Sequence, residues 1–310
     1  MRGRTVLLAV VGAASAVGVV VLARRTGTEA LNAAVSPNWL LLAAGFTICA
    51  GVQPLRAWAW SSTVRSPVGF RAVYAASSLG SFLDTVLPGR LGEVSKVAVL
   101  KVASGSRWPG FPRAGGSLLC AHLLEAIAFA IVGAGAAIFL PLPTWARATV
   151  VIALLLFAVG LGLTAALHKR LGDRLPASVS AFVAGAAAPR RVLLQAGAIL
   201  IVTWVARWFG ILFLLQAVGV KLGIGAALVY MVVTGLANTA PILPGNVGIY
   251  QGAAIGALAM VGHSGAHAVA ASVFTPVVIS LATATAAAAG LALYGRRFAT
   301  ISRAALVRPT

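Results

Sequence analysis

Three carboxylates lie in or beside long apolar stretches of a chain that has only five acidic residues. Asp84 and Glu93 flank the sequence Leu87-Pro88-Gly89, and Glu125 lies inside an apolar segment. An ionised side chain surrounded by hydrocarbon costs roughly 2.5 to 3.5 kcal/mol, so such groups usually face a partner or a polar cavity. We therefore expect these three carboxylates to form ion pairs or to exchange protons. The bases available as partners are Arg56, Arg90, Lys96 and Arg207.

Basic and amide side chains near the same stretches could bind an anion. Arg56 and Arg207 each lie beside tryptophans, and Arg90 follows a Pro-Gly pair. A planar guanidinium can bind two oxygens of one phosphate. Asn238 and Asn246 would add neutral polar groups, so we predict that these five residues bind an anionic head group. Structural ion pairs are the alternative, and the two arginines beside tryptophan could also be anchors at a membrane interface.

The sequence shows no pattern of an enzyme or of a metal site. His122 and Glu125 are three residues apart, and His263 and His267 are four apart, but neither pair supplies the three or four ligands that zinc requires. Phosphate-binding and dinucleotide-binding glycine motifs are also absent from the sequence. We expect no metal, no cofactor and no enzymatic activity.

The composition is that of an integral membrane protein. Hydrophobic residues make up 60% of the chain and charged residues 9%, whereas soluble proteins have roughly 25% charged residues. The mean hydropathy is +0.98. The net charge of +19 comes from bases that flank apolar runs, as topology signals do, so nucleic acid is not an expected partner.

Six apolar runs are long enough to cross the bilayer, which takes roughly 20 residues of helix. They are Thr5 to Ala23, Asn38 to Ser61, Ala114 to Leu140, Ala146 to Leu167, Val192 to Ala217 and His267 to Tyr294. The first run exceeds the usual length of a signal peptide's apolar region, so we expect it to be retained. The sequence therefore predicts an all-α membrane protein with about six transmembrane helices in a single domain, 1–310.

Two further apolar segments, Phe70 to Ala103 and Ile224 to Gly262, are interrupted in the middle. The breaks are Pro88-Gly89 and Pro244-Gly245. Proline removes a backbone donor and glycine permits a reversal of the chain. Each segment therefore predicts a re-entrant helical hairpin, which is tolerated where the broken backbone is buried in protein or lines a wet cavity.

The two hairpins share the pattern L-P-G-x-[L/V]-G, and each follows a helix that carries an arginine beside tryptophan. Most bases fall on one side of the membrane if neither hairpin crosses it, which places both termini in the cytoplasm of a cell-membrane protein. The hairpins then enter from opposite sides. We predict an inverted repeat of 38–140 and 192–294, an arrangement typical of transporters. In the second hairpin, Gly248, Gly252 and Gly256 predict a face for close helix packing.

Four stretches of sequence together resemble one family. They are Arg56 with its tryptophans, Ser78 to Lys101 with LPGRLGEVSK, Ala121 to Glu125, and Ala240 to Gly248 with the sequence APILPGNVG. They are similar to the lysylphosphatidylglycerol synthase/flippase transmembrane family, which includes the N-terminal region of the multiple peptide resistance factor and stand-alone flippase-like proteins. The resemblance covers nearly the whole chain. It implies movement of lipids with polar head groups between leaflets, often beside cell-envelope pathways.

The sequence and the resemblance together predict a lipid translocase. Its partners would be phospholipids or polyprenyl-phosphate-linked lipids, and candidate protein partners are a second copy or an enzyme of envelope biosynthesis. Because nothing hydrophilic of domain size follows Tyr294, we do not expect a lysyl-lipid cargo. Two alternatives stay open at this point. One is a scaffold for a lipid-modifying or glycosyl-transferring enzyme, and the other is an intramembrane enzyme acting on a lipid phosphate.

Overall fold

The fold is known from a computed structural model. It describes residues 28–29, 32, 36–64, 67–86, 91–139, 152, 155–156, 158–160, 162–166, 169, 176–238 and 248–306. Within these ranges the chain forms nine α-helices and one short 3-10 helix, and no strand. The predicted all-α class is confirmed.

Four of the described helices are long and apolar enough to cross a membrane. They are α1 (Trp39–Val64), α4 (Phe111–Phe139), α6 (Arg190–Ala217) and α9 (Ala266–Leu306). No more than 39% of the apolar window of any of them is buried, so most of this surface is left for lipid. These helices confirm four of the six predicted spans. Thr5 to Ala23 lies outside the described residues, and so does half of Ala146 to Leu167.

Five shorter α-helices accompany the spans. They are α2 (Phe70–Val86), α3 (Leu91–Ser104), α5 (Ala177–Ala186), α7 (Ile224–Ala237) and α8 (Ile249–Met260), with the 3-10 helix at Gly105–Arg107. Helix is thus described on both sides of each predicted break. Pro88, Gly89, Pro244 and Gly245 themselves lie outside the described residues. The re-entrant course of the chain and the inverted repeat stay predictions, as do the domain boundaries.

The chain divides into two compact units, each assembled from three stretches of sequence. The first unit comprises Met1–Gly51, Phe82–Gly92 and Ala206–Ala284, and the second comprises Val52–Ser81, Glu93–Val205 and Thr285–Thr310. Long helices contribute to both units, since α1 supplies residues up to Gly51 to the first and residues from Val52 to the second.

In the first unit, α1 and α6 approach closely at two glycines. A Cβ at Gly45 would lie 2.7 Å from Leu214, and a Cβ at Gly210 would lie 2.8 Å from the sulfur of Cys49. Small residues allow membrane helices to come this near. The predicted packing face on α8 is not borne out among the described residues, of which none has an atom within 4 Å of a Cβ built at Gly252 or at Gly256. Close approach in this unit is provided by α1 and α6 instead.

In the second unit, an apolar core joins α1, α2, α3 and α4. We call it the Trp60 core; it consists of Trp60, Val64, Val68, Ala72, Val73, Ala76, Leu100, Ala103 and Ala114. The Trp60 Nε1 donates to the Ser117 hydroxyl at 3.2 Å, which satisfies the only polar atom of the indole. Nearby, α4 and α5 pack so tightly that a Cβ at Gly116 would clash with the carbonyl oxygen of Phe182. This packing holds α4 in place, and α4 carries part of the site described next.

Candidate functional site

Five ionisable side chains of the second unit form the candidate site. We call them the charged cluster: Arg56 on α1, Glu93 and Lys96 on α3, and His122 and Glu125 on α4. The spacing within α3 and within α4 is three residues, which places both members of each pair on one face of their helix. The cluster therefore arises where one face each of α1, α3 and α4 meet.

Arg56 and Glu125 form an ion pair that joins α1 to α4. The Arg56 Nη2 lies 2.6 Å from the Glu125 Oε1, and the two side chains are 22% and 16% exposed. A hydrogen bond between two ionised groups is about twice as strong as a neutral one. Because both groups are largely withdrawn from solvent, removing either one would take away a charge partner that water cannot fully replace.

Glu93 bridges the remaining two members of the charged cluster. Its Oε1 accepts a hydrogen bond from the Lys96 Nζ at 2.7 Å, and its Oε2 lies 3.0 Å from the His122 Nε2. Lys96 is only 4% exposed, and a lysine this buried normally requires a charged partner. The carboxylate of Glu93 is thus the point where α3 is tied to α4.

Sequence reasoning missed His122 as a member of the site. It considered this residue only as a metal ligand beside Glu125, and among the described residues no three such side chains are close enough to hold a metal ion. The signal that could have found it is the spacing to Glu125, which puts the imidazole on the same helix face as an acid. The contact with Glu93, on another helix, could not be read from that spacing.

A small cavity lies against the charged cluster. Its volume is about 20 Å³, which is room for about one water molecule. It is lined by Arg56, Trp60, Ser77, Lys96, Leu118, Ala121, His122, Glu125 and Leu200. In this conformation the charges face a polar space that is too small for a lipid head group.

A second cavity of the same unit is much larger, at about 520 Å³, and falls in the size range of small-molecule sites. It is lined by Val68, Gly69, Ala72, Ala103, Ser104, Gly105, Ser106, Arg107 and Tyr294. The Trp60 core borders both spaces, since Trp60 lines the small cavity while Val68 and Ala72 line the large one. An apolar barrier thus borders a charged cavity and a cavity of head-group size.

The remaining predicted site residues do not belong to the second unit, which holds the charged cluster. Asp84 on α2 and Arg207 on α6 are half-buried and belong to the first unit. Asn238 is exposed at the end of α7. Arg90 and Asn246 lie outside the described residues. Joint binding of one phosphate by Arg56, Arg90 and Arg207 therefore stays a prediction.

The four spans, two of which are joined by the ion pair of Arg56 and Glu125, define a helical integral membrane protein. A family model described as the lysylphosphatidylglycerol synthase TM region matches residues 6–301. The chain belongs to this family, which confirms the resemblance of its sequence motifs. No curated protein and no solved structure gives a significant match.

Proposed function

We propose that the protein is a lipid translocase, which moves a lipid with an anionic or phosphate-containing head group between the leaflets of the cell membrane. The observation that carries this proposal is the charged cluster, placed on helices of a family that is related to lipid flippases. Placing an ionisable group within the membrane costs free energy, so such groups usually mark a substrate or proton path. We propose no chemical reaction, because the work to be done is transfer of a charged group through hydrocarbon.

Arg56 is the proposed phosphate ligand of the charged cluster. Its guanidinium pairs with Glu125 in the structure, so its charge is not left exposed to hydrocarbon. A phosphate could replace the carboxylate as the partner, because both present two oxygens to the planar fork. In this proposal Arg90, Arg207, Asn238 and Asn246 bind the head group elsewhere on its path, and the Pro-Gly breaks line that path.

In this conformation, a lipid head group is proposed to occupy the large cavity. Arg107 and the hydroxyls of Ser104 and Ser106 would supply donors to phosphate oxygens. The Trp60 core borders this cavity and the charged cluster, so movement of the head group would require that apolar contact to open. The repeated order of a long helix, two short helices and a long helix in each half supports rocking of inverted repeats as the device.

We also propose that both termini are cytoplasmic, which places Ser106 inside and Gly223 outside. Both positions are exposed, and a Cβ at Gly223 would meet no atom within 4 Å, so cysteine should be tolerated at each. With Cys49 and Cys120 replaced, Gly223→Cys should react in intact cells with an impermeant thiol reagent, and Ser106→Cys should react only after lysis. Reaction of Ser106→Cys in intact cells would contradict this orientation.

The test of the function is head-group exposure in reconstituted vesicles, for labelled phosphatidylglycerol and for a polyprenyl phosphate. Wild type should move lipid faster than protein-free vesicles. Arg56→Ala and Arg207→Ala should each weaken anionic-lipid binding by about 1.5 to 3 kcal/mol, the usual contribution of a hydrogen bond to a charged group. Glu93→Gln keeps the shape of the side chain but removes its charge, so it should alter the pH dependence.

If all three variants move lipid at the wild-type rate and with the wild-type pH profile, the charged cluster has only a structural role. A scaffold that holds an enzyme of envelope biosynthesis would then be the better proposal, and binding of that partner should survive neutralisation of the acids.

A further inference from the structure

The geometry points to His122 as a proton-binding residue: with a proton bound, its ring forms an ion pair with the facing carboxylate of Glu93. That proton also sets the net charge that the charged cluster offers to an anionic head group. The second statement rests on the proposed function, whereas the proton site stands on the contacts of His122 alone.

One nitrogen of His122 must be a donor. Its Nδ1 lies 2.8 Å from the carbonyl oxygen of Leu118, which has no proton to give. The Nδ1 therefore carries the hydrogen of this bond. A neutral imidazole has a single N–H, so in the neutral ring the Nε2 would be a bare acceptor.

The other nitrogen then meets a second acceptor. The Nε2 is 3.0 Å from the Oε2 of Glu93, and an ionised carboxylate only accepts. That oxygen of Glu93 has no hydrogen-bond partner among the described residues, so a neutral ring would leave two unprotonated acceptors in contact, whereas a proton on the ring turns the contact into an ion pair. Lys96 donates to the other oxygen of Glu93 at 2.7 Å, which favours the carboxylate and places the proton on the imidazole.

The proton on His122 decides the net charge of the charged cluster. Glu93 and Lys96 face it from α3, Arg56 lies on α1, and Glu125 is three residues along its own helix. The other cavity-lining residues carry no charge; they are Trp60, Ser77, Leu118, Ala121 and Leu200. With the proton bound, three cations face two carboxylates and one positive charge remains. Without it the charges cancel.

This difference of one charge links the proton to the head group. A phosphodiester entering the protonated cluster makes it neutral, whereas the same group entering the unprotonated cluster leaves a buried negative charge, which is costly. Linkage requires the reverse effect as well, so the bound anion must strengthen proton binding. Loss of the proton would also break the contact between Glu93 on α3 and His122 on α4.

The first test locates the proton directly by nitrogen NMR of the wild-type protein with ¹⁵N-labelled histidine. His122 is assigned as the resonance that His122→Gln removes from the four histidines of the chain. When its ring is neutral, the remaining proton should be on Nδ1, because the neighbouring carbonyl fixes the tautomer. Glu93→Gln should move the pH at which the His122 resonances change, without moving those of His263, which lies in the turn after α8. The proposal is overturned if the neutral ring carries its proton on Nε2, or if Glu93→Gln leaves unchanged the pH at which the His122 resonances change.

The second test compares the histidine at position 122, whose charge changes with pH, with side chains of fixed charge at the same position. Labelled phosphatidylglycerol is compared with labelled phosphatidylcholine in vesicles at about pH 5.5 and about pH 8.5, which bracket the usual range of histidine. Wild type should move the anionic lipid roughly tenfold more slowly at the higher pH, an effect of the size of one charged hydrogen bond. His122→Gln should be slow at both pH values, and His122→Arg, which fixes the positive charge, should be fast at both. His263→Gln should keep the wild-type profile.

The two proposals fail in different ways. If wild type moves no lipid at either pH, the proposed function is wrong and the NMR result alone decides the proton site. If wild type moves lipid and both His122 variants keep its pH profile, the coupling role of His122 is wrong and the translocase stands.

Discussion

Glu125→Ala should destabilise the protein by about 3 to 5 kcal/mol, because it leaves the guanidinium of Arg56 buried beside an empty space. Arg56 is only 22% exposed, so water cannot fully replace the lost carboxylate. The loss should appear as an earlier unfolding transition in mixed detergent and SDS micelles, followed by tryptophan fluorescence. Lipid movement should fall with it, since Arg56 loses the carboxylate that lies 2.6 Å from its guanidinium.

A matched pair of variants separates stability from function. Glu125→Gln keeps a carbonyl oxygen for the Arg56 hydrogen bond and should cost less than Glu125→Ala. The double variant Arg56→Met with Glu125→Leu removes both charges and fills the space, a change that is often neutral or stabilising in buried pairs. We expect this double variant to fold and to move no anionic lipid. If it folds and moves lipid at the wild-type rate, the ion pair is purely structural.

The membrane-spanning helices could be predicted from the sequence because hydropathy adds up over about 20 residues. The predicted run Asn38 to Ser61 and the observed α1, Trp39–Val64, differ by only a few residues at each end. Proline and glycine also act on the local backbone, but the two predicted interruptions lie outside the described residues and stay predictions. Such features depend on the residues of one segment and need no knowledge of its neighbours.

The pairing of the charges could not be predicted in the same way. The sequence offered Arg56, Arg90, Lys96 and Arg207 as partners of the acids, and only the packing of α1 against α4 selects Arg56 for Glu125. The contact between Glu93 and His122 depends on how α3 lies along α4. The small-residue pattern on α8 misled for a related reason, since a glycine face shows that close packing is allowed without showing that a helix is there.

Trp60→Ala should have the second large effect, because it removes the largest side chain of the Trp60 core. Trp60 is 2% exposed, and truncation of a buried tryptophan typically costs about 3 to 5 kcal/mol. The empty volume would also weaken the apolar barrier that borders the small and the large cavity. Ala121 lines the small cavity, so in a background without Cys49 and Cys120 an Ala121→Cys probe should react on the order of tenfold faster with a small thiol reagent in Trp60→Ala.

Two controls assign this effect to the volume of the ring. Trp60→Phe keeps most of the apolar bulk but removes the hydrogen bond to Ser117, and Ser117→Ala removes the same bond while leaving the indole in place. Each should cost about 1 to 3 kcal/mol and leave the Ala121→Cys probe slow, because the Trp60 core stays filled. Equal reactivity of the probe in all these backgrounds would show that the Trp60 core is not the barrier. Faster labelling in Trp60→Ala alone, with faster lipid movement, would show that the head group and water cross at the same apolar contact.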